Sequence, residues 1–381
     1  MKIAYVYSTL AVTGGTERMI TEKANYLAEQ LGCEVTIITC FQLAHEKNFF
    51  PLSPKVQQIN LCVPFYSQYK FKYPKRLWIK WQMNQLLKSG IRQAVKKTDP
   101  DILIGVSRFR ASYISSLRCR AKKIIECHES RYNTAYDASQ KRSFLSRTFM
   151  KFYDFFYFRT IERKADAIIT LTEGDRQLWT HAKRTEVIPN FSTTPVSRYS
   201  DCTEKHVIAV GRLAWEKGFG RLIEAWGIVS AKHPDWQLDI FGKGRMHDAL
   251  VDMTHQFHAQ HVVFHGCSDH ISQEYAACSI CAVTSYFEGF SLVILEAMRH
   301  GLPCVAYDCP FGPGNIIEDG RCGYLVEDGN TQLFAEKLCR LIEEEELRKQ
   351  FSKAAIERTG AFDVDIIMNR CKQFYEQLLQ A

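Results

Sequence analysis

The chain has 381 residues and a mass of 44.0 kDa, with 46% hydrophobic and 24% charged residues. That balance excludes collagen-like, disordered and coiled-coil classes, and the length predicts two or three domains. The net charge of +7 hides an asymmetry: residues 1–190 carry 31 Lys and Arg against 16 Asp and Glu, a balance of +15, and the remainder carries −8. A basic half of this kind suits an anionic neighbour, whether a phosphate-bearing substrate, lipid headgroups or nucleic acid.

The opening run, residues 1–7, reads as a first strand. It lacks the long apolar region and small-residue cleavage site of a signal peptide. No window approaches about 18 uninterrupted apolar residues, so no transmembrane helix is predicted. These features predict a cytoplasmic protein. Further strands are predicted at 35–40, 102–106, 123–127, 167–171 and 186–188, with amphipathic helices between several of them, such as 16–31. A polar, Pro-bearing stretch at 188–195 marks a boundary. Beyond it the pattern restarts, with strands at 206–210, 237–241, 262–265, 280–285, 303–307 and 323–326. Helices are predicted at 217–231, 245–258, 291–300 and 331–343, and an isolated amphipathic helix closes the chain from about residue 364. Near-continuous apolar strands alternating with helices predict parallel sheets covered on both faces. The expected fold is therefore α/β, with two doubly wound Rossmann-like domains facing across a cleft: 1–190, and 200–360. Ligands of such sheets sit beyond the carboxyl ends of the strands. The fourteen Cys are expected to be buried thiols, and the pair Cys278 and Cys281 is expected to be core packing because no second pair stands at metal-site spacing.

Several strand ends carry chemistry. Gly14-Gly15-Thr16-Glu17 follows the first strand, where glycine allows close backbone approach and Thr16 is the expected N-cap. It is not the G-x-G-x-x-G dinucleotide fingerprint, which disfavours an NAD enzyme. His128 stands at the carboxyl end of the strand 123–127, and a substrate contact and a structural role are equally open there. Gly211-Arg212 and Glu216-Lys217-Gly218 open the first helix of the second half. Arg212 and Lys217 suit a diphosphate, a fork and a point charge, although solvated loop charges explain them too. Gly242 and Gly244 make a glycine turn at the next strand end. After the strand 280–285 comes Glu288-Gly289-Phe290-Ser291-Leu292, with Ser291 as expected N-cap and a helix start that favours an anion. Glu296 lies inside an apolar helix, where an unpaired carboxylate costs several kcal/mol. A ribose diol and a capping or ion-pair role are both open partners.

Taken together, these segments resemble the family 4 glycosyltransferases, the retaining group with the two-Rossmann-domain GT-B fold. The resemblance runs over most of the chain and is strongest from 207 to about 323. Glu288 and Glu296 match the family's E-x7-E signature, and 211–218 matches its donor-phosphate segment. It implies that Arg212 and Lys217 hold the donor diphosphate. It also implies that Glu296 binds the ribose, that Glu288 positions the donor sugar, and that Gly14, Gly15, Gly242 and the 289–292 backbone complete the donor site. His128 would reach the sugar from the first domain, and Glu288, His128, Arg212 and Lys217 would be the catalytic set. It further implies that the helix 364–381 returns to the first domain. Retention would follow from same-face attack assisted by the leaving phosphate.

Sugar–phosphate cleavage leaves negative charge on the diphosphate, which fixed cations and helix N-termini stabilise. No D-x-D pair stands at a strand end, so neither a metal nor another cofactor is expected. The expected substrates are a nucleoside-diphosphate sugar, UDP-linked by preference, and a glycan or lipid-linked acceptor. An epimerase of the same fold and a basic nucleic-acid-binding protein are the alternatives. The second leaves Glu288 and Glu296 unexplained, so no nucleic acid is expected.

Residues 51–100 contain ten basic residues and one acidic. At 69–81 aromatics interleave with Lys and Arg, a pattern that suits an anionic membrane surface, single-stranded nucleic acid, or core aromatics with cations projecting outward; the first is preferred, which places the protein at the inner face of the cell membrane. The aromatic-dense segment 142–164 is expected to be core.

Overall fold

The computed structural model describes residues 1–131 and 144–381, with side chains of the second stretch from residue 152 onward. The chain divides into two compact units, Met1–Pro189 with Asp365–Ala381, and Asn190–Val364.

In chain order, the first unit runs β1 (Lys2–Tyr7), α1 (Gly15–Glu29), β2 (Glu34–Thr39), β3 (Gln57–Asn60) and a 3-10 turn at Phe65–Lys70. It continues with α2 (Lys75–Thr98), β4 (Ile102–Val106), α3 (Ala111–Ser115), β5 (Lys122–Glu126), α4 (Phe144–Lys164), β6 (Ala167–Thr170), α5 (Glu173–Arg176) and β7 (Thr185–Val187). Its strands pair in parallel in the order β3-β2-β1-β4-β5-β6-β7. The second unit runs β8 (His206–Val210), α6 (Phe219–Lys232), β9 (Gln237–Phe241), α7 (His247–Gln256), β10 (Val262–Gly266), α8 (Ile271–Ala276) and β11 (Ile280–Val283). Then come α9 (Leu292–Arg299), β12 (Cys304–Tyr307), β13 (Gly323–Val326), α10 (Thr331–Glu343) and α11 (Glu345–Thr359). Its parallel sheet has the order β10-β9-β8-β11-β12-β13. Both sheets are doubly wound and change direction once, between β1 and β4 and between β8 and β11. The carboxyl ends of those strands are where such sheets bind ligands.

The reason these segments fold this way is visible in their burial. All four residues of β11 and of β12 are buried, as strands covered on both faces require. On α10 the buried residues Phe334, Ala335, Leu338, Leu341 and Ile342 fall on one stripe, and the Asn330 side chain accepts from the Leu333 N–H at 3.0 Å to cap the helix. Each fully buried Leu or Ile contributes about 1.5–3 kcal/mol. Cys278 and Cys281 are buried free thiols in this unit. The terminal helix α12 (Val364–Gln380) buries Ile367, Met368, Phe374 and Tyr375. It packs in the first unit, where Arg370 pairs with Glu186 at 2.7 Å and Arg184 donates to Gln377 at 2.7 Å.

Four sequence expectations are corrected. The edge strand β3, Gln-Gln-Ile-Asn, has no apolar signal and was not anticipated; its polarity is what an outermost strand tolerates. Thr16 lies inside α1 and Gly14 is the N-cap residue. A side chain at Gly14 would place its Cβ 2.3 Å from Glu17 Oε2, so the Glu17 carboxylate would have to shift to admit one. Ser291 occupies the N-cap position of α9, but its side chain makes no capping hydrogen bond. The fourth concerns 142–164, of which 142–143 and the side chains to 151 lie outside the described residues. Of the rest, Phe158 and Ile161 are buried, but Phe152, Tyr153, Phe155 and Phe156 are each more than half exposed. The helix is apolar around most of its circumference, so composition cannot say which side faces the sheet.

Candidate active site

The second unit brings Lys217 and Glu288 to the loops after β8 and β11, the two strands flanking the switch point. Lys217 ends a 3-10 turn, Trp215–Lys217, and its Nζ donates to Glu288 Oε1 at 2.7 Å. Ser285 Oγ donates to the same oxygen at 2.7 Å. Glu288 is buried, so this pairing offsets the cost of removing its charge from water. Lys217, Ser285, Glu288 and Ser291 line one cavity at the carboxyl ends of β8 and β11. The amino end of α9 opens beside them, and its first N–H groups have no partner within the helix.

Arg212 and Glu296 are not on that cavity wall. The Arg212 side chain is 72% exposed and pairs with Glu216 at 3.0 Å. Glu296 is buried in α9, where Thr194 Oγ1 donates to its Oε1 at 3.1 Å and Tyr275 OH donates to its Oε2 at 3.3 Å. Its partners here are hydroxyls, the group type a ribose offers. Burial, then the Glu296 charge, pushes the Tyr275 hydroxyl well above its ordinary pKa. Phe290 is buried edge-on against Phe362, ring centroids 5.6 Å apart, so its ring is core. Gly242 has φ +143°, and a Cβ there would lie 1.8 Å from the Gly211 carbonyl oxygen. The loops after β8 and β9 can touch only because that residue is glycine.

Sequence reasoning missed Arg221. From α6, its Nη2 donates to the Thr284 carbonyl at 2.5 Å and its Nη1 to Asp328 Oδ1 at 2.6 Å. Its guanidinium lies 3.9 Å from the Tyr286 ring centroid and 4.3 Å from that of Tyr307. Tyr286 in turn stacks on Trp215 at 4.5 Å with an interplanar angle of 8°. This column fastens the loop carrying Lys217 to the loop carrying Glu288. A lone Arg on a helix gives no sequence signal for it.

In the first unit, Tyr7 OH donates to Glu17 Oε1 at 2.8 Å beneath the Gly14-Gly15 loop, and burial with the Glu17 charge raises the Tyr7 hydroxyl well above its ordinary pKa. His128 is buried, with Nε2 3.1 Å from Glu126 Oε1. Lys23, also fully buried, donates to the same carboxylate. Burial alone would raise the Glu126 carboxyl, but Lys23 and His128 outweigh it and hold it at about 2. The imidazole of His128 is thus turned into the unit against Glu126. Glu126 ends β5 directly after Ile124 and Ile125, and like Glu296 it is a carboxylate set against apolar sequence.

This arrangement, two doubly wound parallel sheets with a cation–carboxylate pair at a switch point, is that of a GT-B glycosyltransferase. The chain matches the sequence families described as "Glycosyltransferase Family 4" over residues 13–193 and "Glycosyl transferases group 1" over 195–358. It is 28% identical to the amylovoran biosynthesis glycosyltransferase AmsD of Erwinia amylovora, over 97% of this chain and 98% of that one. Among solved structures it superposes on the sucrose-phosphate synthase of Thermosynechococcus elongatus with a TM-score of 0.81 at 20% identity, covering 100% of this chain and 99% of the other. It also superposes on Anabaena Alr3699/HepE in complex with UDP-glucose, with a TM-score of 0.74 at 18% identity over 99% and 100% of the two chains. The chain belongs to the family 4 glycosyltransferases and is a glycosyltransferase enzyme. Among the described residues, no helix is long and apolar enough to cross a membrane.

Proposed function

We propose that the enzyme transfers a sugar from a nucleoside-diphosphate sugar, UDP-linked by preference, with retention, to a glycan or lipid-linked acceptor in cell-surface polysaccharide synthesis. The observation that carries the donor assignment is the Lys217–Glu288 pair at the amino end of α9. A diphosphate entering there meets the Lys217 ammonium and the α9 N–H groups, and the exposed Arg212 would leave its pairing with Glu216 to swing in as a fork. These charges oppose the negative charge that develops on the leaving diphosphate, and we assign them that task without a metal or other cofactor. Glu296 would exchange its hydroxyl partners Thr194 and Tyr275 for ribose hydroxyls.

Glu288 Oε1 already accepts from Lys217 and Ser285. A carboxylate so engaged is a weakened nucleophile, which favours same-face attack assisted by the leaving phosphate over a covalent glycosyl-enzyme. In this reading Glu288 orients Lys217 and the donor sugar. The polysaccharide setting is supported by the full-length likeness to AmsD, and the UDP-sugar by the likeness to HepE, whose structure holds UDP-glucose. We further propose that the basic stretch 69–81 draws the enzyme to an anionic membrane at the inner face, where a lipid-linked acceptor would be found. A thermal-shift screen of nucleoside-diphosphate sugars tests the donor assignment: stabilisation by UDP-sugars above other nucleotides supports it, and no stabilisation by any donor removes it.

A further inference from the structure

Most of the exposed large hydrophobic side chains of the described residues lie on two segments of the first unit. One is the 3-10 turn Phe65–Lys70 with the first turns of α2, where Tyr66, Tyr69, Tyr73, Trp78 and Trp81 are each more than half exposed. The other is α4, where Phe152, Tyr153, Phe155 and Phe156 are. At 100° per residue these four span a stripe of about 160°, and Phe158 and Ile161, which are buried, lie on the opposite side. Exposed apolar surface concentrated in this way marks an interaction site.

The two segments adjoin. The Arg110 guanidinium lies over the Phe65 ring at 5.3 Å, and two residues earlier the Arg108 guanidinium lies over the Tyr157 ring of α4 at 5.3 Å. Tyr157 donates to the Arg108 carbonyl at 2.7 Å, and Asp154 pairs with Arg108 at 2.5 Å, which fixes α4 beside this junction. From Arg110 the surface continues through Phe65 to Tyr66 and Tyr69, whose rings stack at 6.5 Å. It then reaches Arg76, which lies 4.3 Å from the Tyr69 ring centroid.

The chemistry of the surface selects its partner. Residues 51–98 contain no Asp or Glu, so the α2 part attracts anions. Lys is depleted in protein–protein interfaces, whereas Trp and Tyr beside Lys and Arg is the composition of a membrane–water boundary. The α4 stripe differs: Phe152, Phe155 and Phe156 have no polar tip, and such rings suit the acyl side of that boundary.

We propose that the first unit carries a two-part membrane anchor, in which the cations around α2 draw it to anionic lipid and Phe152, Phe155 and Phe156 of α4 insert. This rests on the membrane reading above and adds a component that salt does not release. The attraction at α2 falls off within a Debye length, about 10 Å at 0.1 M salt and 3 Å at 1 M, while burial of the Phe rings does not depend on charge.

The test is co-sedimentation of the full chain with vesicles of phosphatidylcholine alone or with about one-third phosphatidylglycerol, at about 0.1 M and 1 M salt. Three proteins are compared: the wild type, a Lys70→Gln, Lys72→Gln, Lys75→Gln, Arg76→Gln variant, and a Phe152→Ser, Phe155→Ser, Phe156→Ser variant. The replaced side chains are exposed except Arg76, which is half-buried over the Tyr69 and Tyr73 rings, and matching melting temperatures establish that each variant is folded. The expected result is that the Gln variant loses the preference for anionic vesicles at low salt. The Ser variant keeps that preference but loses about tenfold or more of the binding that survives at 1 M salt. A Ser variant that binds like the wild type at 1 M salt overturns the insertion of α4 and leaves the electrostatic membrane reading standing. A wild type that binds neither vesicle at either salt removes both. If the wild type self-associates in velocity sedimentation and the Ser variant does not, the α4 stripe is covered by a second copy, and the proposal is overturned.

Discussion

Lys217 and Glu288 stand 71 positions apart in the chain and meet at 2.7 Å between the ends of β8 and β11. Each strand delivers one member of the pair, and the switch in strand order leaves the space in front of them open. Removing the cation should therefore weaken diphosphate binding and also strand a buried carboxylate. Lys217→Ala is expected to lower affinity for UDP by about tenfold to a hundredfold, the range for a charged hydrogen bond of roughly 1.5–3 kcal/mol. Arg212→Ala, an exposed position, should cost less. Calorimetric titration reads both, and wild-type affinity in both variants would end the phosphate assignment.

Replacing Glu288 probes the reaction more than the binding. Glu288→Gln preserves the shape of the side chain but ends the charge pairing with Lys217 and the acceptance from Ser285 at full strength. Turnover with the donor found by screening should fall by about a hundredfold or more, as when an electrostatic positioning group is lost, with a smaller change in UDP affinity. Chelator should leave wild-type turnover unchanged. Abolition by chelator, or full turnover in Glu288→Gln, would refute the metal-free assignment of roles.

Arg221 offers a test of how the site is held rather than what it contacts. Arg221→Ala deletes the hydrogen bond to Thr284 and the stacking on Tyr286 and Tyr307, contacts worth about 1–3 kcal/mol together. UDP affinity should drop although Arg221 is not assigned to touch the nucleotide. Arg221→Lys restores the charge but not the planar fork, so it should rescue melting temperature better than UDP affinity. Equal rescue of both would make the residue a stability element only.

The Glu126 carboxyl gives a pH dependence. Its pKa in the folded protein is about 2 against an ordinary 4.5, so the unfolded chain binds its proton first as pH falls. The stability it contributes is fully present above about pH 4.5 and is lost as pH falls toward 2. Glu126→Gln leaves Lys23 buried without its counter-charge and should cost about 3–5 kcal/mol, while Lys23→Met with Glu126→Leu should recover much of that loss. Denaturant melts between pH 3 and 7 should show the acid-side slope reduced in both variants. An unchanged slope in Glu126→Gln would assign acid sensitivity to other carboxylates.

The alternation of apolar strands with helices was sufficient to identify two doubly wound parallel sheets, because strands buried on both faces must be apolar throughout and read as continuous runs. The segments around Gly211, Lys217, Glu288 and Glu296 could be singled out for a related reason: charged residues at strand ends or inside an apolar helix conflict with their surroundings. What composition could not decide was the direction each side chain takes. β3 is a polar edge strand that forms only because β2 offers it a ladder. α4 is apolar on both sides, and only packing against the sheet decided that Phe158 goes in and Phe155 stays out. Arg212 turned to solvent, His128 turned inward to Glu126, and Arg221 joined two loops. Each of these depends on partners distant in sequence that only the folded chain brings within reach.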